Sequence, residues 1–203
     1  MRKRYFFFDI DGTLAAGPIM GRYIPESTKR ALEILESEGH FLAICTGRLH
    51  AMGEGFMHEL GFRNMVADGG NSLTLNGEFL GIKPLDTQAC IDVIEECERL
   101  GVVWAISFDD SRRRWTRYAN YDALVHDSYM ETVVDPELDY RSIECFYKVY
   151  VICSPEEEAR IASLSKVPTA RFSPYAVFVE PVDKGEGIKR CMARFGAPIE
   201  DVV

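Results

Sequence analysis

The chain has 203 residues, 47% of them hydrophobic and 27% charged, an ordinary globular composition for one large domain or two small ones. A formal net charge of −9 and a pI of about 5.0 argue against a general nucleic-acid binder, because phosphate backbones need clustered Lys and Arg, and beyond the basic start Arg2-Lys3-Arg4 the basic cluster is Arg112-Arg113-Arg114, too short to change that view. No stretch approaches the roughly 20 apolar residues of a membrane span, and Asp9 and Asp11 break the apolar run behind the basic start, against a secretory signal.

Tyr5 to Ile10 is short, aromatic and uncharged until Asp9. It reads as a strand buried on both faces, and such strands deliver their chemistry at the carboxyl end. Asp9 and Asp11, one residue apart, stand there, followed by Gly12 and Thr13. Ala15 to Tyr23 is a loop rich in Gly and Pro. A helix starts near Ser27 with Ala31, Leu32, Ile34 and Leu35 as its apolar stripe, and Gly39 ends it. Phe41 to Cys45 is the second buried strand. It runs into Thr46-Gly47-Arg48 and a second helix ending near Gly61. Met65-Val66-Ala67 is the third strand. Strand, helix, strand, helix, strand with short connections predicts a doubly wound parallel α/β sheet. Asp68-Gly69-Gly70-Asn71 follows, and Asn76-Gly77 between two short alternating runs predicts a hairpin over Ser72 to Ile82.

From Lys83 the pattern becomes α+β. The spacing predicts a helix over Thr87 to Leu100, strands over Val102 to Phe108 and Arg113 to Tyr118, and a helix over Asn120 to Met130. A strand over Phe146 to Cys153, a helix over Pro155 to Ser165, and strands at Arg171-Phe172 and Ala176 to Val179 follow. After Pro181 a helix over Glu186 to Phe195 returns to the α/β pattern, and Asp201-Val202-Val203 reads as the start of another strand. The expected organisation is a core of 1–82 with 183–203 and an inserted module of 83–182.

Asp9 and Asp11 repel one another if both are ionised, so they need a cation or a proton between them, and a hard divalent ion such as Mg2+ answers that need. A calcium loop would need another oxygen residue and a twelfth-position Glu, where Thr13 and Met20 stand. A structural Asp-Gly turn is the plainer alternative. Thr46, with the amides of Gly47 and Arg48 at a helix start, makes a candidate anion site. Lys184, in Asp183-Lys184-Gly185, can offer a point charge to a phosphate. The six cysteines, Cys45, Cys90, Cys97, Cys145, Cys153 and Cys191, form no Cys-x-x-Cys pair and read as reduced thiols of a cytoplasmic protein. His40, His50, His58 and His126 lack metal-ligand spacing.

On these residues the chain resembles the haloacid dehalogenase superfamily of phosphohydrolases, in its Cof-type branch with a large inserted cap. Phe8 to Leu14 is similar to the first motif, Ile44 to Arg48 to the second, and Asp183 to Ile188 to the third. The resemblance implies a Rossmann-like core with an inserted α+β cap that reads the substrate, with Arg48 and the hairpin Asp109 to Arg114 as candidate contacts. It implies a Mg2+-dependent phosphatase of small phosphorylated metabolites, monomeric or weakly self-associating. Asp9 would be the nucleophile and Asp11 the acid and base, kept protonated when substrate binds. Thr46 and Lys184 would offset phosphoryl charge, with Gly12, Gly47, Arg48 and Asn71 as further phosphate contacts. The metal would sit on the Asp9 carboxylate and the Asp11 carbonyl.

Two departures from the family pattern stand out. Gly69-Gly70 occupies the place of an Asn-Gly pair, leaving Asn71 shifted in register. The fourth motif, a Gly-Asp pair supplying a further metal carboxylate, would follow a strand starting near Asp201. Its absence suggests a truncated form with little activity. The alternatives are a phosphomutase of the same superfamily and a non-catalytic phospholigand-binding module.

Overall fold

The computed structural model describes residues 2–18, 21–125, 127 and 129–203. The chain packs as two compact units, Met1–Ile82 with Asp183–Val203, and Lys83–Val182. In chain order the first unit begins with β1 (Tyr5–Phe8), α1 (Glu26–Ser37), β2 (Phe41–Cys45), α2 (His50–Glu59), β3 (Met65–Ala67), β4 (Ser72–Leu75) and β5 (Glu78–Ile82). The second unit holds α3 (Thr87–Leu100), β6 (Val103–Ser107), β7 (Arg113–Thr116), α4 (Tyr121–Val125) and β8 (Glu131–Val134). It continues with β9 (Lys148–Ile152), α5 (Pro155–Glu158), β10 (Thr169–Ser173) and β11 (Ala176–Val179). The chain then returns to the first unit with α6 (Lys184–Phe195). No helix of the described residues is long and apolar enough to cross a membrane.

The first unit is built on a five-stranded sheet ordered β1-β2-β3-β4-β5. The first three strands are parallel, with Phe8 beside Ile44 and Ile44 beside Met65, so their carboxyl ends share one edge. The last two run antiparallel through the Asn76-Gly77 turn. Alternation along β1 sends Phe6 and Phe8 to one face, with Leu42 of β2 and against Leu32 and Met57 of the α1 and α2 layer. Tyr5 and Phe7 go to the other, with Phe41 of β2 and against Cys191 and Phe195 of the α6 layer.

Helices on both faces make the sheet doubly wound, but β1 is shorter and more open than the apolar run predicts. It ends at Phe8, and all four of its residues are half-buried. The cause is its place at the end of the strand order. Beyond it only the backbone of Val203 pairs, donating to the Tyr5 carbonyl (2.9 Å) and accepting from the Phe7 N–H (3.1 Å).

The second unit has a six-stranded sheet ordered β10-β11-β9-β6-β7-β8. Helix α3 has the bounds its periodicity predicts. Asp86 caps it by accepting the Ala89 N–H, and Gly101 ends it at φ 70°. Its buried side, Cys90, Val93, Ile94 and Cys97, packs on Trp104, Ile106, Val149, Val151 and Val177.

Two predicted helices are shorter than expected. Of the stretch Asn120 to Met130 only Tyr121–Val125 is helical, and His126 and Ser128 lie outside the described residues. The chain is then drawn into β8, a strand the sequence reading lacks, parallel to β7 with Arg113 beside Glu131. Helix α5 has the capping box expected of Ser154 and Glu157 but ends at Glu158. A 3-10 turn replaces its second half because Glu96 takes both the N–H and the hydroxyl of Ser163, at 2.8 and 2.7 Å.

The basic cluster is mostly consumed internally. Arg114 is fully buried, donates to Asp127 (2.7 Å) and Thr132 (2.9 Å), and lies over the Tyr121 ring. Arg113 pairs with Glu131 at the surface.

Candidate active site

The loop after β1 is a tight coil wound on buried apolar anchors. Ile10, Leu14 and Ala15 are almost wholly buried. The Leu14 N–H donates to the Asp9 carbonyl (3.1 Å) and the Ala15 N–H to the Ile10 carbonyl (2.8 Å). Gly12 supplies the positive φ (79°) this coil needs. With Ile10 turned into the core, Asp9 and Asp11 face outward on either side of it, both only partly exposed. The parallel register pairs Phe8 with Ile44, so Asp9 leaves the end of β1 where Cys45 and Thr46 follow on the neighbouring strand.

Lys184, first residue of α6, donates from Nζ to Asp9 Oδ1 at 2.9 Å. Asp183 caps that helix by accepting the Glu186 N–H. A pair of glycines lets α6 come this close. A Cβ built on Gly70 would lie 2.2 Å from the Asp183 carbonyl oxygen, and one on Gly187 would lie 2.7 Å from Gly70 Cα. Arg190 fastens the contact from the next turn by donating to the Gly70 carbonyl (3.0 Å). Thus α6, 114 positions after Gly70 in sequence, is seated on the loop after β3.

Thr46 is 1% exposed. Its hydroxyl accepts the Arg48 N–H at 3.1 Å, and its carbonyl accepts the Gly69 N–H at 3.2 Å. The helix starts later than the sequence suggests, at His50, so Gly47 and Arg48 belong to the loop before it. The His50 N–H is taken by Asp68 Oδ2 at 3.0 Å. An internal carboxylate therefore occupies the start of α2, while the Arg48 amide is turned to the Thr46 hydroxyl. Asp68 pays a backbone strain for this position (φ 50°). His50 itself is buried, bonded to Thr74 Oγ1 (2.9 Å) and stacked on Phe79, a structural role. Asn71 is half-buried and donates its N–H to the Asp68 carbonyl.

Arg48 makes a bidentate fork on Asp11, Nε to Oδ2 and Nη2 to Oδ1, both at 2.8 Å. A second guanidinium, that of Arg22, brings its Nε to 2.9 Å from Asp11 Oδ1. Arg48, with Arg22 adding to it, holds the Asp11 carboxyl below its ordinary pKa, against the opposing effect of partial burial. In the free protein two cations thus stabilise the charge of Asp11. Burial pushes the neighbouring Cys45 thiol up to about 11, although Lys184 pulls the other way, so it stays a neutral wall of the site.

Sequence reasoning named Asp9, Asp11, Thr46, Arg48 and Lys184, and all of them lie in the first unit. Lys184 joins Asp9, and Arg48 joins Asp11. It missed Arg22 and Asp68, and it quoted Gly187 in the third motif without its packing against Gly70. A single arginine in a Gly-rich loop carries no pattern, and Asp68 shows its purpose only when β3 is laid beside β2.

The donors suited to a metal are oxygens. Among the described residues no three or more His, Cys, Asp or Glu side chains gather as a metal cage. The Asp9 carboxylate, with backbone carbonyl and water, fits the Mg2+ habit of binding through one or two carboxylates and retaining several waters. Both Asp11 carboxylate oxygens face arginine, which leaves that residue its carbonyl for the purpose.

Residues 6–203 match the family model of haloacid dehalogenase-like hydrolases. The Bacillus subtilis (strain 168) protein “Putative phosphatase YkrA” is 23% identical over 210 residues, spanning 99% of this chain and 78% of that one. A crystal structure of a hypothetical protein from Geobacillus kaustophilus HTA426 superposes with a TM-score of 0.80 at 26% identity, covering 99% of this chain and 78% of the other. The sugar phosphatase BT4131, of subclass IIB, shares the fold with a TM-score of 0.73 at 20% identity, over 98% and 79%. The chain belongs to the haloacid dehalogenase-like hydrolases.

Proposed function

We propose that this protein is a Mg2+-dependent phosphatase of small phosphorylated metabolites, working through an aspartyl phosphate on Asp9, with Lys83–Val182 as its substrate-reading cap. The observation that carries the reading is Asp9 at the end of β1, paired with Lys184 at 2.9 Å and followed two residues later by Asp11. Asp9 attacks phosphorus, forming the Asp9–O–P bond as the ester P–O bond breaks. The departing alkoxide takes a proton from Asp11. Water then attacks the same phosphorus, giving a proton to Asp11 and releasing the Asp9 carboxylate. Lys184 and the Thr46 hydroxyl balance charge on the phosphoryl oxygens. Mg2+, held by Asp9 and the Asp11 carbonyl, would supply charge neutralisation between nucleophile and phosphate. Because Asp11 rests as an arginine-bound carboxylate, substrate binding must redistribute those arginines and Asp11 must take up a proton from solvent before it can serve as the acid. Six unpaired cysteines suit a cytoplasmic setting.

The test is hydrolysis of p-nitrophenyl phosphate and a panel of sugar and cofactor phosphates, with and without Mg2+. Wild-type turnover is expected to need the cation, and Asp9→Asn to lower kcat by at least about 1,000-fold, the scale of losing a covalent nucleophile. Turnover that survives Asp9→Asn overturns the proposal. Transfer of phosphate to a second sugar hydroxyl in place of water would identify a mutase.

A further inference from the structure

Resting on the phosphatase reading above, we propose that Arg22, together with Arg48, is the receptor for a second anionic group on the substrate. The preferred substrate is then a phosphate monoester that carries a carboxylate or another phosphate a few bonds from its ester oxygen.

The case begins with a mismatch of charge. Arg48 alone satisfies Asp11, since its fork reaches both carboxylate oxygens at 2.8 Å. Arg22 adds a second cation to the same single anion. Its Nε is 2.9 Å from Oδ1, yet that buried N–H is not aligned on any acceptor. Only 18% of the Arg22 side chain is exposed. A guanidinium this desolvated, sharing one negative charge with another guanidinium, is under-compensated. A planar carboxylate or phosphate is the group that matches its fork.

The second line is backbone preparation. Arg22 sits on a narrow return of the chain, where Ala16 and Tyr23 exchange backbone hydrogen bonds at 2.9 and 3.1 Å. Gly17 and Gly21 both have φ near +90°, and a Cβ on Gly17 would press within 3.3 Å of the Gly21 carbonyl oxygen. Arg22 also donates to the Gly17 carbonyl across this return. The guanidinium is thus placed by its loop as well as by Asp11.

The third is direction. Asp11 gives its proton to the ester oxygen, so whatever flanks Asp11 faces the organic part of the substrate, away from the Lys184 side of the phosphoryl group. An anion delivered there pairs with Arg22 and draws it from Asp11.

The experiment compares matched ligands that differ by one anionic group: glycerol 3-phosphate against 3-phosphoglycerate, glucose 6-phosphate against 6-phosphogluconate, and fructose 6-phosphate against fructose 1,6-bisphosphate. The first two pairs report on a carboxylate and the third on a phosphate. Wild type is expected to favour the more anionic member at least tenfold in kcat/KM in one class of pair, chiefly through KM. R22Q is expected to bring that ratio below threefold, whatever happens to absolute rates. Calorimetry of the same ligands on D9N and on D9N/R22Q gives a readout free of turnover, with the same tenfold preference expected in the first and lost in the second. A wild-type ratio near one in every pair, or a preference that R22Q retains, overturns the proposal. Failure of the phosphatase reading shows separately, as p-nitrophenyl phosphate turnover that is absent or survives D9N, and the calorimetric ratio then still decides whether Arg22 selects a second anion.

Discussion

Replacing Gly70 by alanine tests how the site is assembled across the sequence. Gly70 has φ +113°, a region L-residues rarely enter, and its added Cβ would lie 2.2 Å from the Asp183 carbonyl oxygen and 3.0 Å from the Asp183 carbonyl carbon. Ordinary contacts between such atoms fall near 3.5 Å, so the backbone at Asp183 must retreat by about 1 Å. The strained backbone costs about 1–3 kcal/mol, and overpacking against a rigid neighbour another 1–3 kcal/mol. A total of roughly 2–6 kcal/mol corresponds to about 5–20 °C in Tm for a chain of this size. Gly196 provides the control. It too has positive φ (59°), but a Cβ there meets nothing within 4 Å, so G196A should cost only about 1–2 kcal/mol for the left-handed backbone. Thermal unfolding of the two variants side by side isolates the contact with Asp183. The second readout is functional. Lys184 follows Asp183, and a shift of about 1 Å in a catalytic group can cost on the order of 100-fold in rate, so G70A should lower kcat/KM far more than G196A. If G70A is no less stable and no less active than G196A, the close approach of α6 to the loop after β3 does not position Lys184.

Two other outcomes follow from the charges. Asp127→Ala removes the 2.7 Å partner of the fully buried Arg114 and leaves it the neutral Thr132 hydroxyl and one carboxylate, that of Asp122, at 3.4 Å and largely exposed. It should cost about 3–5 kcal/mol in chemical denaturation, against about 0.2–1 kcal/mol for Glu131→Ala at the exposed Arg113 pair. Equal losses would refute the buried-pair argument. The Asp11 pKa is lowered in the folded state by Arg48 and Arg22, so its ionised form adds stability above the unfolded value near 4 and loses it as pH falls through the lower folded value. The Tm advantage of wild type over Asp11→Asn should accordingly be present at pH 6–7 and shrink steadily below pH 4. An advantage that grows on acidification would reverse the assigned sign.

The fold was readable where a local rule and the tertiary arrangement demand the same thing. Helix α3 falls on Thr87–Leu100 because periodicity, an Asp86 cap and a Gly101 terminator coincide there. The β4–β5 hairpin follows from Asn76-Gly77, where Asn76 has φ 55° and Gly77 φ 85°. Strand β8 was not readable. Glu131–Val134 has no alternation strong enough to announce a strand, and it exists through parallel pairing to β7. The shortening of α5 has a similar cause, since Glu96 captures Ser163 from 67 residues away.

At the candidate site, the legible residues are those whose chemistry needs a fixed neighbour in sequence. Asp9 and Asp11 stand either side of the buried Ile10, and Lys184 follows its helix cap. The hidden ones act through space alone. Asp68 closes the start of α2, Gly187 admits Gly70, and Arg22 reaches Asp11 from the far side of a glycine return. These contacts also change what the legible pair means. Two adjacent carboxylates on a bare sequence invite a shared cation. In the folded chain they are already separated by partner, Asp9 to lysine and Asp11 to arginine. The different roles proposed for the two carboxylates are therefore prepared by residues 11 to 175 positions away, before any metal or substrate enters the argument.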